Sequence, residues 1–172
     1  MANEAGALVR VAGMFSQRGF NIETLNVAPT ENPSVSRLTL VTEGTEHVVV
    51  QITRQLLKLV DVVEVRNMTG DAYLERELAL LKVRANGEPA TQQTSEVARI
   101  ADQHGAEMVS LDEGVHTLQF VGTAGQLDAL IADLVAAGRL EEEVRSGVLA
   151  MTLGAGKLHY VEDYEELDAI SF

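Results

Sequence analysis

Apolar residues in this 172-residue chain switch between two spacings, and the order in which they switch constrains the fold more than any single motif. Helical spacing appears four times. Leu8, Val11, Ala12 and Phe15 form the first stretch, with Gly19 where a C-terminal cap belongs. Val48, Val49, Ile52, Leu56 and Leu59 form the second. Val97, Ile100 and Ala101 form the third, with Thr94 or Ser95 as N-cap. Leu127, Leu130, Ile131, Leu134 and Val135 form the fourth, between Thr123 and Gly138. Short β-prone runs lie between them at 21–28, 35–42, 61–68, 77–84, 106–111, 116–122 and 144–151. Turn chemistry separates these runs at Pro29, Asn32-Pro33, Glu43-Gly44, Asn86-Gly87 and Asp112-Glu113-Gly114. Leu78-Ala79-Leu80-Leu81 is apolar on both faces and reads as an interior strand.

In order, the second half is β-α-β-β-α-β, a ferredoxin-like unit. The first half is α-β-β-α-β, the same unit without its opening strand. The expected fold class is therefore α+β, with two ferredoxin-like (βαββαβ) domains, the first lacking its first strand. The expected boundaries are 1–70 for the first domain, 71–76 for a linker, 77–152 for the second domain and 153–172 for an acidic tail. The missing strand matters, because the opening strand of this unit is flanked on both sides and its absence leaves backbone groups unpaired. A truncated or mis-assigned chain start is the favoured explanation. The others are a strand supplied by a partner, or the tail around 157–161 folding back.

Charge narrows the partners. Thirteen Lys and Arg against 26 Asp and Glu give a net charge of −13, which opposes binding to nucleic acid or anionic membrane. The imbalance is concentrated: residues 1–76 carry 7 basic and 9 acidic side chains, residues 77–172 carry 6 and 17. Glu162, Asp163, Glu165, Glu166 and Asp168 lie near the end, in a stretch without Lys or Arg. Such a run reads as a solvated tail, the alternative being an arm for a basic partner. No apolar run is long enough to span a membrane, and no signal peptide is visible, so the expected location is cytoplasmic. The absence of cysteine excludes disulfides, thiolate nucleophiles and zinc-thiolate sites.

No catalytic constellation emerges. His47, His104, His116 and His159 are scattered, without metal-ligand spacing, and read as surface or capping residues. Gly154-Ala155-Gly156-Lys157 resembles the end of a phosphate-binding loop, but Met151 stands where its first Gly belongs and Leu158 where Ser or Thr is required. Base-stacking on the sheet is also a poor fit, since aromatics are 4% of residues and no strand carries the basic aromatic pattern.

The informative segment is Asn3-Glu4-Ala5-Gly6-Ala7-Leu8, which enters the first helix. Gly6 can adopt backbone angles closed to other residues and lets a ligand approach the main chain. Free amides at a helix N-terminus receive a carboxylate, and Asn3 offers a donor and an acceptor to a small zwitterion. The competing reading is structural: Asn3 as an N-cap followed by a tight turn.

This segment, together with residues 10–25 (RVAGMFSQRGFNIETL) and 27–30 (VAPT), strongly resembles the small regulatory subunit of acetohydroxyacid synthase, also called acetolactate synthase. Residues 36–39 (SRLT), 55–62 (QLLKLVDV), 75–78 (EREL), 122–128 (GTAGQLD) and 145–148 (RSGV) extend the resemblance over about 3–152. It implies an N-terminal ACT domain and a C-terminal ferredoxin-like domain. It further implies a non-catalytic chain that binds and activates the catalytic large subunit and makes it sensitive to valine. Thiamine diphosphate, Mg and FAD are then expected on that catalytic subunit, with no cofactor or metal in this chain. By the same resemblance, Asn3, Gly6, Ala7 and Leu8 line the effector site, and Asn21 and Ile22 from the facing protomer of an ACT homodimer complete it. Valine, or another branched-chain amino acid, is the expected effector. A free-standing amino-acid-binding module acting on another enzyme or transporter is the alternative. A third reading is an activator without an effector site.

Overall fold

The computed structural model describes residues 1–84, 96–112, 114–154 and 158. Two compact units are present, one built on Met1–Leu74 and the other on Glu75–Ala150.

In the first unit, helix α1 (Ala7–Gln17) buries Ala7, Val11, Met14 and Phe15 along one stripe. The helix stops because Gly19 takes a left-handed conformation at φ +68. Its amide and that of Phe20 donate back to the carbonyls of Ser16 (3.1 Å) and Phe15 (3.0 Å), closing a Schellman motif. The reversal lays Phe20 edge-on against Phe15, with ring centroids 6.2 Å apart. Strands β1 (Thr24–Pro29) and β2 (Ser36–Val41) form an antiparallel hairpin with Thr24 opposite Val41 and Pro29 opposite Ser36. Helix α2 (Glu46–Leu56) is capped by the Thr45 side chain, which accepts from the Val48 amide. Its Ile52 and Leu56 complete the core with Val11, Met14 and Phe15.

The strand expected over 61–68 does not form, and 62–68 join no ladder. Among the described residues, Met1–Asn3 alone enters the slot where an opening strand would run, so 62–68 have no described strand beside them to pair with. Met1 exchanges two backbone hydrogen bonds of 2.8 Å with Ser36, and the Asn3 amide donates to Ser34 O (2.8 Å). On the other edge the Ala2 amide donates to Asp61 O (2.7 Å). Val62 and Val65 still pack on the core without a ladder to hold them. Leu158 belongs to no element, and the other residues of the 157–161 segment lie outside the described residues.

The second unit has the expected order: β3 (Tyr73–Arg84), α3 (Glu96–His104), β4 (Glu107–Asp112), β5 (Val115–Gly122), α4 (Ala124–Ala136) and β6 (Leu140–Arg145). The sheet runs β4-β5-β3-β6, with β7 (Leu149–Thr152) also paired to β3. This is the ferredoxin-like arrangement, with the opening strand β3 between β5 and β6. The core is Ala79, Leu81 and Val83 of β3, Leu118 and Phe120 of β5, and the inner faces of α3 and α4. Helices α3 and α4 end in the Schellman pattern of α1, at Gly105 and Gly138. A capping box opens α4: Thr123 accepts from the Gln126 amide while the Gln126 side chain accepts from the Thr123 amide.

Three expectations need correction here. Leu78 and Leu80 are each 41% exposed, so β3 is interior to the sheet but covered by helices on one face only. The single strand expected over 144–151 is two, β6 and β7, because Gly147 at φ +76 breaks the run. The linker expected over 71–76 is already strand from Tyr73, and the 153–172 tail is described only at 153, 154 and 158.

Two matched motifs meet in this unit. Glu77 is 1% exposed, and its carboxylate takes Arg145 Nη2 at 2.7 Å and Nε at 3.1 Å. Arg145 Nη1 reaches Asp128 Oδ1 at 2.8 Å, and these partners hold the guanidinium charged. Glu75 Oε1 accepts from the Ala124 amide at the start of α4 (2.8 Å). Removing Arg145 leaves a buried carboxylate without its cation, so Arg145→Ala should cost on the order of 3 kcal/mol. Gly122→Ala should cost about 1–3 kcal/mol by overpacking, because an added Cβ meets Phe120 Cζ at 2.5 Å and Gln126 Oε1 at 2.9 Å. Urea denaturation of both variants checks these values.

Candidate functional site

The loop entering α1 is shaped by one backbone conformation. Gly6, the N-cap residue, sits at φ +91 and ψ −13, a left-handed turn that L side chains rarely adopt. As a glycine it supplies no side-chain cap to the helix. The Ala7 amide is taken by Glu4 O at 3.2 Å, and the next amides of the first turn face the open end of the helix. An uncapped N-terminus with its partial positive charge is a place for a carboxylate. Beside it Ala7 is buried, whereas Leu8 is 38% and Val9 72% exposed.

Asn3 is not the helix cap. Its Nδ2 donates to Pro33 O at 2.9 Å, which ties the loop to the β1–β2 connection. One side-chain donor is thus spent, and Oδ1 has no hydrogen bond among the described residues. Asn21 and Ile22 lie past the other end of α1. Asn21 Nδ2 donates to Glu23 Oε1, and its carbonyl accepts from Thr42 Oγ1 at 2.6 Å. Ile22 packs half-buried against the core. Eleven helical residues span about 16 Å at 1.5 Å per residue. One chain therefore brings Asn3, Gly6, Ala7 and Leu8 together and leaves Asn21 and Ile22 a helix-length away.

The structure adds two residues absent from the expected set. Arg10, one turn into α1, donates through Nη2 to Asp61 Oδ1 at 2.6 Å and through Nε to Oδ2. Asp61 is only 7% exposed. The Arg10 guanidinium beside it holds its carboxyl below the usual value against the opposing effect of burial. Arg10 is correspondingly held above its ordinary value. The sequence signal was a single acid in the apolar run Leu59-Val60-Asp61-Val62-Val63. A groove of about 460 Å³ lies elsewhere in this unit, along His47, Val50, Gln51, Arg54, Leu57 and Lys58, and includes none of the expected effector residues.

Of the histidines, His47 is exposed and His104 reaches Asp133 Oδ2 at 2.7 Å, bridging α3 to α4. His116 departs from the surface expectation: it is buried, with Nδ1 3.1 Å from Met108 Sδ. His159 lies outside the described residues. Among the described residues no three potential metal ligands cluster, and no helix is long and apolar enough to cross a membrane.

A carboxyl held below its unfolded value contributes stability above about pH 4, lost as pH falls through the depressed value. The Arg10 Nε–H resonance should therefore stay constant from neutral pH to about 4 and shift only in stronger acid. Asp61→Asn should remove that transition, as an NMR titration would record.

Comparison with known proteins agrees with both units. Residues 1–64 match the family model described as an AHAS small subunit-like ACT domain, and residues 76–154 match that of the small subunit of acetolactate synthase. The acetolactate synthase isozyme 3 small subunit of Escherichia coli is 42% identical over 154 residues, 90% of this chain and 92% of that protein. The acetolactate synthase small subunit of Haemophilus influenzae is 43% identical over the same shares. The crystal structure of the acetolactate synthase small subunit from Thermotoga maritima superposes with a TM-score of 0.75 at 30% identity, covering 87% of this chain and 91% of that one. The chain belongs to the family of acetolactate synthase small subunits.

Proposed function

We propose that this chain is the non-catalytic regulatory subunit of a cytoplasmic acetolactate synthase. It binds the large subunit, raises its activity and makes it sensitive to valine. The catalytic subunit carries the thiamine diphosphate, Mg and FAD. The observation that carries the effector reading is the N-terminus of α1 behind the left-handed Gly6, with Asn3, held through Nδ2 on Pro33 O, leading into it.

In this reading the carboxylate of valine lies on the first-turn amides, where charge and hydrogen bonding act together. Asn3 Oδ1 accepts from the ammonium. Leu8 offers an apolar wall, and Asn21 and Ile22 of a second ACT protomer close the far side, a reading supported by their helix-length separation from Asn3 within one chain. Such a pocket selects by size, so one methylene is worth about 1–3 kcal/mol and valine over leucine is a modest preference. A ligand shared across the ACT dimer biases how the protomers pack, and this is the element that couples effector to catalytic subunit. The coupling is typically about 1–3 kcal/mol.

The test is acetolactate formation by the cognate large subunit, with and without this chain, across a valine titration. Activation that valine reverses is the expected result. Asn3→Ala and Gly6→Asp should each raise the half-inhibiting valine concentration at least tenfold. The Asp side chain brings a Cβ to about 3.1 Å from Arg10 Nη1 and a negative charge to the carboxylate site. Activation without reversal removes the effector assignment and leaves the partner. Absence of activation overturns the regulatory-subunit reading.

A further inference from the structure

We infer that Arg10 and Asp61 are the positioning pair of the effector loop, and that valine affinity depends on their ion pair although neither residue need touch the ligand. The inference rests on the effector reading above.

Asp61 grips the chain on both sides of the loop. Its backbone carbonyl takes the Ala2 amide at 2.7 Å, before the loop, and its carboxylate takes Arg10 Nη2 at 2.6 Å and Nε, after it. Residues 3–9 are thus bracketed by one residue in the turn that follows α2. The guanidinium also lies against the turn it brackets. A Cβ at Gly6 would stand 3.1 Å from Arg10 Nη1 and 3.7 Å from Cζ, so this glycine admits the guanidinium as well as the left-handed angle.

The electrostatics fit a positioning role. The pair is neutral overall, so the carboxylate site keeps the modest field of the helix terminus rather than a full positive charge. Glu4 is the other carboxylate whose charge acts on Arg10. Asp61 is 7% exposed and Arg10 47%, so the buried member is the acid. Loss of Arg10 leaves that carboxylate without its cation, and the loop must then rearrange to bring a solvent path or another donor to it.

The test uses the full-length chain, with valine affinity measured by calorimetry and amide exchange followed by NMR, for wild type, Arg10→Met and Arg10→Lys. Arg10→Met keeps the apolar stem and removes the charge. It should weaken valine binding at least tenfold and accelerate exchange at Ala2 and Ala7, with the β1–β2 hairpin amides at wild-type rates. Arg10→Lys keeps the charge and loses the bidentate fork, so it should recover part of the affinity. Wild-type affinity in Arg10→Met overturns the inference and leaves the effector reading standing. Accelerated exchange throughout the unit also overturns it, because the pair would then serve stability alone. A wild-type chain that takes no valine overturns the effector reading and this inference with it.

Discussion

A strand inside a sheet must satisfy backbone donors and acceptors on both of its edges, and the organisation of both units follows from how that demand is met. In the second unit β3 meets it fully, paired to β5 over Glu77–Arg84 and to β6 over Ala79–Val83. Its inner side chains Ala79, Leu81 and Val83 are then completely buried beneath α3 and α4. In the first unit, among the described residues, the equivalent position is entered only by Met1–Asn3, yet these residues already bond to both sides, to the start of β2 and to Asp61. Beyond them 62–68 join no ladder among the described residues, although Val62 and Val65 remain on the core. Hydrophobic burial and strand pairing are here seen apart, because the first needs only a facing surface and the second needs a neighbouring backbone.

The same junction positions the candidate site. The residues that pair at the head of the slot lead directly into the Asn3–Leu8 loop, so the turn at Gly6 inherits its placement from a backbone contact to Asp61. The Arg10 ion pair adds a second tie to that residue. A loop held from two sides can keep helix amides open for a ligand, whereas a side-chain cap would have consumed them. Leaving α1 uncapped forgoes the stability that a capping residue gives, typically about 1 kcal/mol. Helix α4, whose N-terminus carries a full capping box, shows the alternative within the same chain.

Several motifs acquire physical reasons in the second unit. Glu77 and Arg145 lie 68 residues apart in sequence and form one buried ion pair, with Asp128 of α4 on the third guanidinium nitrogen. Ser146 continues the pairing: its amide donates to Leu78 O at 2.9 Å and its Oγ accepts from the Leu78 amide at 3.1 Å. Gly122 leaves room for Phe120 and for the Gln126 side chain that closes the α4 cap. These contacts explain why short runs around 75–78, 122–128 and 145–148 stand out together.

Much of this architecture was legible in the residues themselves. The four helices follow apolar spacing, and three of them end at glycines that close Schellman motifs. The βαββαβ order of the second unit follows from the same alternation, since period and turn chemistry are local properties. The loop at Asn3–Leu8 also stood out locally, from a glycine at a helix entrance. What chain order alone left open depends on contacts distant in sequence. The 61–68 run has strand propensity, yet 62–68 are not strand, and the 77–84 run looks doubly buried until the open face at Leu78 and Leu80 is seen. Asn3 reads as a helix cap until its amide is found on Pro33, and the Arg10–Asp61 pair joins residues 51 positions apart. Propensity and spacing thus determined which segments are helix or strand, because those are set by each residue's own backbone and neighbours. Partners, covered faces and the buried charge pairs were decided only by the tertiary structure, because each requires two distant segments to arrive at the same place.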